Sequence, residues 1–588
     1  MWYKDRGFEA FLNRVKFVKV VFLVFWVFLF LRTFQIQVLR GFKFQKKSEG
    51  NYLKKFIIPP SRGIIFSKDN KIVAGTYISY NLVSQSRPDE QNLKKLLKIL
   101  KRPARELRRN ILMSLARGEV LITVAKDLKG KELIPVAARL DEFEGMRIVK
   151  APKRFYPFGK IFSHITGYLG PLPKEKKLPY SYKGALHGIS GIEKTCDRYL
   201  FGIPGGEVVE VNSRGKVISV KGSLKPRTGS NVYLTIYSNL QKIAFEAFEG
   251  RKGCAIALNP QTGEIYLMVS SPGFNPELFL EGKVKDLITS REYPLINRCI
   301  QMKYPPGSTF KIVTSACALN ENLIDLNEKF FCNGVFHYGN KDFACWKEKG
   351  HGDVDFFKGF SQSCNVYFYN LGLKAGGKKL AEYAKKMGLS LTVFKDIEGE
   401  LSATIPSPSW KKKEKKYPWL PGDSINMAIG QGYLWVTPIE MALLVSGVAN
   451  NGVIMRPYLI EKIVSSEGKL EYQAIPKVVK EYSLNPRTFS ILKEAMRKVV
   501  LSGTGQILNI PDVIIYGKTG TAQNPNGEDH GWFVSFGGEE FSQFSLVVVV
   551  EHGGMGSTSA GPISRKIWQK YIKLKKSDME TRKKEDRG

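Results

Sequence analysis

A serine followed three residues later by a lysine can form a nucleophile and its base, and this chain carries that pair as Ser308 and Lys311 within Tyr304-Pro305-Pro306-Gly307-Ser308-Thr309-Phe310-Lys311. Pro and Gly before the serine, with apolar helix formers after it, read as a loop entering a helix. Positions three apart share a helix face, so the Lys311 amine can reach the Ser308 hydroxyl. A serine alcohol is a weak nucleophile and needs an adjacent base. Lysine can be that base only if its pKa falls, and burial, a helix N-terminus and a second cation all lower it. Alone, this spacing is common and equally fits the start of a surface helix. A second pair is Ser363 and Asn365 in Ser363-Cys364-Asn365. From a tight loop both side chains can point into a cleft, Ser363 to relay a proton to a leaving amine and Asn365 to bind a substrate amide and Lys311. Alone, this pair also fits a helix cap. The third signal is Lys518-Thr519-Gly520 followed by Thr521 and Ala522, after the apolar run at 513–516. Thr519, Gly520 and Thr521 on a strand bordering a cleft let a substrate peptide pair along its edge. Lys518 supplies the second cation and can bind a substrate carboxylate, and the N–H groups of Thr521 and Ser308 would form an oxyanion hole. Together, in this order, the three point to acyl transfer through a serine ester.

These residues need a frame. The Pro/Gly-bearing stretch at 221–230, KGSLKPRTGS, marks a domain boundary. Past it the pattern predicts a strand at 232–236, a helix at about 238–250 and strands at 254–258 and 264–270. Three further strands are predicted at 513–522, 532–536 and 544–550, with a closing helix at 563–574. Helices lie between the two strand groups. This predicts a five-stranded antiparallel sheet built from both ends of the domain, flanked by helices, with a helical subdomain. Upstream, residues 39–228 alternate β-rich runs with turns. Residues 64–66 and 71–74 read as strands around a turn, and 92–118 carries Leu93, Leu96, Leu97 and Leu100 at helical spacing. That region holds no compact catalytic set and reads as an elongated β-rich pedestal. The expected fold class is α+β.

At 588 residues the chain exceeds one domain of roughly 100–200 residues. The run at 20–31, VVFLVFWVFLFL, contains no polar residue, and the segment 17–34 is long enough to span a membrane with its end charges snorkelling. No small-residue cleavage site follows, so an uncleaved transmembrane anchor is expected. The expected organisation is a cytoplasmic tail (1–16), an anchor (17–38), the pedestal (39–228), the catalytic domain (229–574) and a charged, disordered tail (575–588). Basic residues flank the anchor evenly, so the positive-inside rule does not orient it. A long domain after a single N-terminal span is expected on the outer side. Lys and Arg number 90 against 54 Asp and Glu, a net charge of +36, which suits nucleic acid, anionic lipid or acidic wall polymer. The charges are dispersed and no nucleic-acid-binding signature accompanies them, so nucleic acid is not the expected partner.

The resemblance reaches beyond the three triplets. Those motifs are the set of penicillin-binding proteins and class A β-lactamases. The chain resembles the class B penicillin-binding proteins, and among them the elongation transpeptidases of the penicillin-binding protein 2 group. Residues 294–298 (PLINR) running into 304–311, the stretch from 421–426 (PGDSIN) through 430–433 (GQGY) to 436–438 (VTP), and the pair 518–523 (KTGTAQ) with 530–534 (HGWFV) carry it. Upstream, 60–65 (PSRGII), 154–157 (RFYP), 163–168 (SHITGY) and 191–194 (GIEK) are similar to the family's pedestal. The resemblance implies a peptidoglycan D,D-transpeptidase. Ser308 attacks the D-alanyl-D-alanine end of a stem peptide, D-alanine leaves, and an acceptor amine resolves the acyl-enzyme. β-Lactams acylate the same serine. It further implies a single-pass protein of the inner membrane with a periplasmic catalytic domain. The implied partners are a SEDS-type (RodA-like) glycosyltransferase and the rod-elongation proteins. A septal class B protein is the nearest alternative. A β-lactamase or β-lactam sensor would have no use for the pedestal. A bifunctional protein would need an acidic glycosyltransferase signature between the anchor and residue 230, and none is present. The intact Ser308, Lys311, Ser363, Asn365 and Lys518 argue against a non-catalytic scaffold.

Of the seven cysteines, too few for a disulfide scaffold, three stand with a histidine between the first two motifs. Cys332, Cys345, His351 and Cys364 have the spacing C-x12-C-x5-H-x12-C. Three thiolates and an imidazole make a closed tetrahedral Zn2+ set of the structural kind. Some relatives in the group resemble this in carrying a metal here. A Cys332–Cys345 disulfide or free buried thiols are the alternatives. A metal would pin the loop of the second motif, since Cys364 lies between Ser363 and Asn365.

Overall fold

The computed structural model describes residues 6–43, 52–117, 121–173, 178–182, 184–212, 217–524, 527–538 and 543–585. The N-terminal apolar run is one helix, Arg6–Phe34, extended by a wider turn at Gln35–Leu39. It is long and apolar enough to cross a membrane, and its apolar window is unburied. It is a candidate single span.

The predicted central sheet is present, in the order Ile265–Ser271, Gly253–Leu258, Phe544–Val550, His530–Gly538, Ile514–Ala522. Every neighbouring pair is antiparallel. Both faces are covered, which is why its strands read as continuous apolar runs. Side chains alternate between faces. Val548 and Val550 pack with Leu240, Ala244, Ile567 and Trp568 of the first and last helices of the domain. Val547 and Val549 pack into the larger core on the other side, with Ile439, Leu443 and Phe310. Ile514–Ala522 is an edge strand. Its free side is the one available to an extended peptide.

The strand near 232–236 runs Asn231–Leu234 and belongs to a different sheet. It pairs in parallel with Ile65–Phe66 of the pedestal and antiparallel with Ile460–Val464 of the C-terminal region. This strand stitches the two halves together, so the pedestal is hydrogen-bonded to the catalytic domain. The helix expected over 92–118 is two helices, Glu90–Leu100 and Ala104–Arg117. Lys101 turns left-handed at φ 50 and Pro103 follows, and a proline pushes its predecessor out of helical geometry. The closing helix does not stop near 574 but runs Ala560–Glu585. The charged tail lacks Gly and Pro until Gly588, and Lys, Arg, Glu and Met are good helix formers.

Three of the pedestal motifs meet in one buried ion cluster. Glu193 accepts from Arg62 Nε at 2.6 Å and from Arg154 Nε at 2.7 Å, and Arg62 Nη2 also reaches Asp197 at 2.7 Å. Tyr156 donates to Glu193 as well. Burial alone would raise the Glu193 carboxyl, but Arg154 and Arg62 outweigh it and hold it below the usual range. Removing one partner of such a cluster leaves uncompensated buried charge. Glu193→Gln is therefore expected to destabilise the fold by about 3–5 kcal/mol, read as a lower urea midpoint. A loss under about 1 kcal/mol, the size of a surface pair, would contradict this role.

Candidate active site

Ser308 lies in the 3-10 turn Gly307–Phe310, which runs directly into the helix Lys311–Asn320. It is half-buried, whereas Lys311 is fully buried one turn on. The turn is pressed against the edge strand. Gly307 has φ 53, and a Cβ there would stand 2.5 Å from the Thr521 carbonyl oxygen. A Cβ at Gly430 would meet the Gly307 oxygen at 2.1 Å. Only glycine allows this approach. It brings the N–H of Ser308, at a helix start where such donors lack intrahelical partners, beside the backbone of Thr521.

Ser363 closes the site from the other side. It follows the helix Phe356–Ser361 and has a left-handed backbone, φ 54. Cys364 then stands directly before the helix Asn365–Lys386. This bend brings three groups onto Lys311. Its Nζ donates to the Ser363 carbonyl at 2.9 Å, to Ser363 Oγ at 3.2 Å and to Asn365 Oδ1 at 2.8 Å. Lys518 Nζ donates to the same Ser363 Oγ at 3.0 Å and to the Thr519 carbonyl at 3.0 Å. The Ser363 hydroxyl thus sits between two amines. Ser308 Oγ has no hydrogen-bond partner among the described residues, so the expected Ser308–Lys311 contact is not formed here. Catalytic hydrogen bonds often tighten only when substrate is present.

The two lysines share a fully buried site. Lys311 lies over the Phe368 ring at 5.1 Å and Lys518 over Phe360 at 5.8 Å. Burial lowers the Lys311 amine to about 8. Lys518 is pushed well below the usual lysine range, by burial first and by the charge of Lys311 second. Like charges so close disfavour double protonation. Sequence reasoning missed two supports. Thr504 Oγ1 meets Thr519 Oγ1 at 2.5 Å, and Trp346 Nε1 donates to the Ser363 carbonyl at 3.1 Å. Neither lies in a motif, so spacing carried no signal for them.

The cysteine–histidine set comes together next to this loop. Two small hairpins, Phe330–Cys332 with Gly352–Val354 and Val335–Tyr338 with Lys341–Ala344, deliver Cys332, Cys345 and His351 to Cys364. The four ligand atoms lie within 4.8 Å of one another and all four residues are buried. His351 Nδ1 is 3.6 Å from both Cys332 Sγ and Cys345 Sγ. A tetrahedron with zinc–sulfur bonds of about 2.3 Å and zinc–nitrogen bonds of about 2.0–2.1 Å has N···S edges of about 3.6 Å. The residues present therefore fit a tetrahedral ion. None of the seven cysteines is disulfide-bonded, so the Cys332–Cys345 disulfide is not formed in this structure. Hydrogen bonding from Cys364 first, then His351, pulls Cys345 toward the thiolate.

A serine, two lysines and a hydroxyl–amide pair gathered at the edge of a five-stranded sheet are the arrangement expected of the penicillin-binding type. Comparisons with known proteins agree. Residues 253–569 match the penicillin-binding protein transpeptidase domain, and residues 57–234 match the penicillin-binding protein dimerisation domain. The peptidoglycan D,D-transpeptidase MrdA of Haemophilus influenzae is 30% identical over 583 residues, covering 92% of this chain and 89% of the relative. Penicillin-binding protein 2 of Helicobacter pylori, solved in complex with MreC, superimposes with a TM-score of 0.76 at 25% identity, over 89% of this chain and 99% of that one. A chain from a peptidoglycan synthase complex that coordinates polymerization and crosslinking gives 0.71 at 27% identity, over 94% and 97%. The chain belongs to the penicillin-binding proteins, and within them to the penicillin-binding protein 2 group of elongation peptidoglycan D,D-transpeptidases.

Proposed function

We propose that this chain cross-links peptidoglycan through an acyl-enzyme on Ser308. Neutral Lys311 takes the proton as Ser308 Oγ attacks the penultimate D-alanine carbonyl. The oxyanion is held by the N–H groups of Ser308 and Thr521. The C–N bond then breaks, and Ser363 passes a proton to the departing D-alanine amine. An acceptor amine attacks the ester, gives up a proton along the same path and regenerates Ser308. Lys518 binds the terminal carboxylate of the donor, and Thr519, Gly520 and Thr521 align its backbone along the sheet edge. Asn365 binds a donor amide and steadies Lys311. The single observation that carries this reading is the Ser363 hydroxyl bridging Lys311 and Lys518, which joins all three motifs in one proton path.

The test is a mapped adduct. A fluorescent penicillin should label the chain once, stably, on the peptide that holds Ser308. Label on another residue, or fast release that regenerates free enzyme, would overturn the assignment.

Further parts of the reading rest on the relatives. The solved complexes support a place in the rod-elongation machinery, and a RodA-like polymerase is the proposed membrane partner. The catalytic domain is proposed to face the periplasm, where its substrate lies. Cys332, Cys345, His351 and Cys364 are proposed to hold a structural Zn2+. Such an ion, when bound, supplies cross-linking between loops and no chemistry to the reaction.

A further inference from the structure

The surface beside the cleft carries a group of side chains that the acyl transfer leaves unused. The loop at 430–436 is tied twice to the segment that bears the nucleophile. Gly307 N–H donates to the Gly430 oxygen at 3.0 Å, and Tyr304 and Val436 exchange backbone hydrogen bonds at 2.9 Å. Alternation along the loop buries Leu434 and Val436 and leaves Tyr433 and Trp435 exposed, at 38% and 41%. The helix Pro408–Glu414 packs onto this loop. Its Trp410 ring meets Tyr433 at 5.6 Å, and Lys411 and Lys415 hold their amines 5.8 and 5.4 Å from the Tyr433 ring centre. Lys411 is buried and spent on Asp423 at 2.6 Å. Lys412, Lys413, Lys415 and Lys416 remain exposed. The one acidic residue in the run, Glu414, stands 4.0 Å from Lys413.

A solvated helix face is the ordinary meaning of exposed lysines. Two features set this face apart. Neighbouring like charges work against a helix of only 7 residues, and the exposed amine of Lys415 stands over Tyr433, two residues from the exposed Trp435, on a loop tied to the segment that bears the nucleophile. We propose that this face is a subsite for the glycan strand. Tyr433 and Trp435 stack on the apolar faces of sugar rings, and the four lysines pair with carboxylates of stem peptides other than the one being cut. The proposal rests on the transpeptidase reading above, because that reading supplies a polymer of sugars bearing carboxylate-ended peptides. Charge complementarity selects this occupant. Mobile carboxylates arriving in no fixed geometry suit the point charge of lysine better than the rigid fork of arginine. The subsite would hold a strand while successive stem peptides reach Ser308.

The test uses the detergent-solubilised full chain and uncross-linked glycan strands with intact stem peptides. A variant with Lys412, Lys413, Lys415 and Lys416 all changed to Gln should melt like wild type and bind strands about tenfold more weakly, since exposed pairs each add little and four add up. Trp435→Ala should weaken binding as well. Strands stripped of peptides by an amidase should bind wild type weakly and the lysine variant no worse. The control removes four lysines elsewhere, at Lys94, Lys95, Lys98 and Lys131 of the pedestal, and should change binding less than twofold. Equal loss in the control would reduce the effect to general charge attraction and overturn the proposal. Unchanged strand binding in the lysine variant would overturn it too. So would retained strand binding with lost binding to phosphatidylglycerol vesicles, which would assign the face to the membrane. Penicillin labelling of the wild-type chain separates the readings. If labelling maps to Ser308 while strands ignore the lysines, only the subsite fails.

Discussion

Replacement of Lys311 by methionine is expected to slow acylation of Ser308 by about 10³-fold, in the range for losing a general base, against the complete loss expected for Ser308→Ala. The reason lies in what surrounds the amine. Lys311 is fully buried, and burial brings it to about 8. Below that pH it is mostly protonated and cannot accept the Ser308 proton, so wild-type acylation should climb with pH and level off above about 8. The methionine variant should lose this rising limb. Its global fold should persist, because an apolar side chain of similar length replaces a buried amine whose desolvation is unfavourable, but Ser363 and Asn365 lose their Lys311 donor, so a looser Ser363 contributes part of the loss. Lys311→Arg separates two roles. Arginine keeps the charge and the donors that hold Ser363 and Asn365, yet it does not deprotonate in proteins. It should be nearly as slow as methionine. If Arg restores acylation to within tenfold of wild type, Lys311 acts as an electrostatic anchor and another group is the base. The second candidate for that group is Lys518, which shares the Ser363 hydroxyl.

The site was legible because acyl transfer confines its groups to short motifs whose internal spacing is set by one helix turn, one tight loop and one strand. What spacing cannot carry is contact between segments far apart in the chain. The bridge from Lys311 to Lys518 through Ser363 needs three such segments folded together. The central sheet was legible from apolar runs and turns, and the double-sided burial of Val547 to Val550 shows why those runs did not alternate. The strand Asn231–Leu234 was found as a strand, but the separate sheet it joins was not. Its partner Ile460–Val464 lies over two hundred residues away, and nothing local names a pairing partner. The pedestal motifs were visible as a resemblance. That Arg62, Arg154 and Glu193 are one ion cluster emerges only when their three segments meet. Trp346 and Thr504, which steady Ser363 and Thr519, carry no chemistry of their own and so left no mark.

Replacing Cys364 by alanine is expected to lower bound zinc from about one per chain to under about a tenth of an equivalent, since a structural tetrahedral site needs all four ligands. It should also slow penicillin acylation about tenfold, although Cys364 touches no reacting atom. The link is the backbone of Ser363. Its left-handed conformation costs an L-residue roughly 1–2 kcal/mol, and such strain persists only where the surroundings over-determine it. Besides the Ser363 N–H bond to the Phe360 carbonyl and the lysine bonds to its hydroxyl, three constraints act on the far side of the bend: the hydrogen bonds from Lys311 and Trp346 to the Ser363 carbonyl, and the adjoining Cys364 in the buried cluster. Removing the third lets the bend relax, and a strain of that size released corresponds to about a tenfold loss of the competent loop. The Ser363 hydroxyl then leaves the point where both amines meet. Cys254→Ala, in the central sheet and outside the cluster, should keep both the metal and the rate. Wild-type chain purified with under a tenth of an equivalent of zinc and freely titrating thiols would remove the metal from this account. Full zinc in the Cys364→Ala chain would remove Cys364 from the ligand set. Zinc lost with acylation unchanged would mean that Lys311 and Trp346 hold the bend by themselves, and that the metal serves only the hairpins around it.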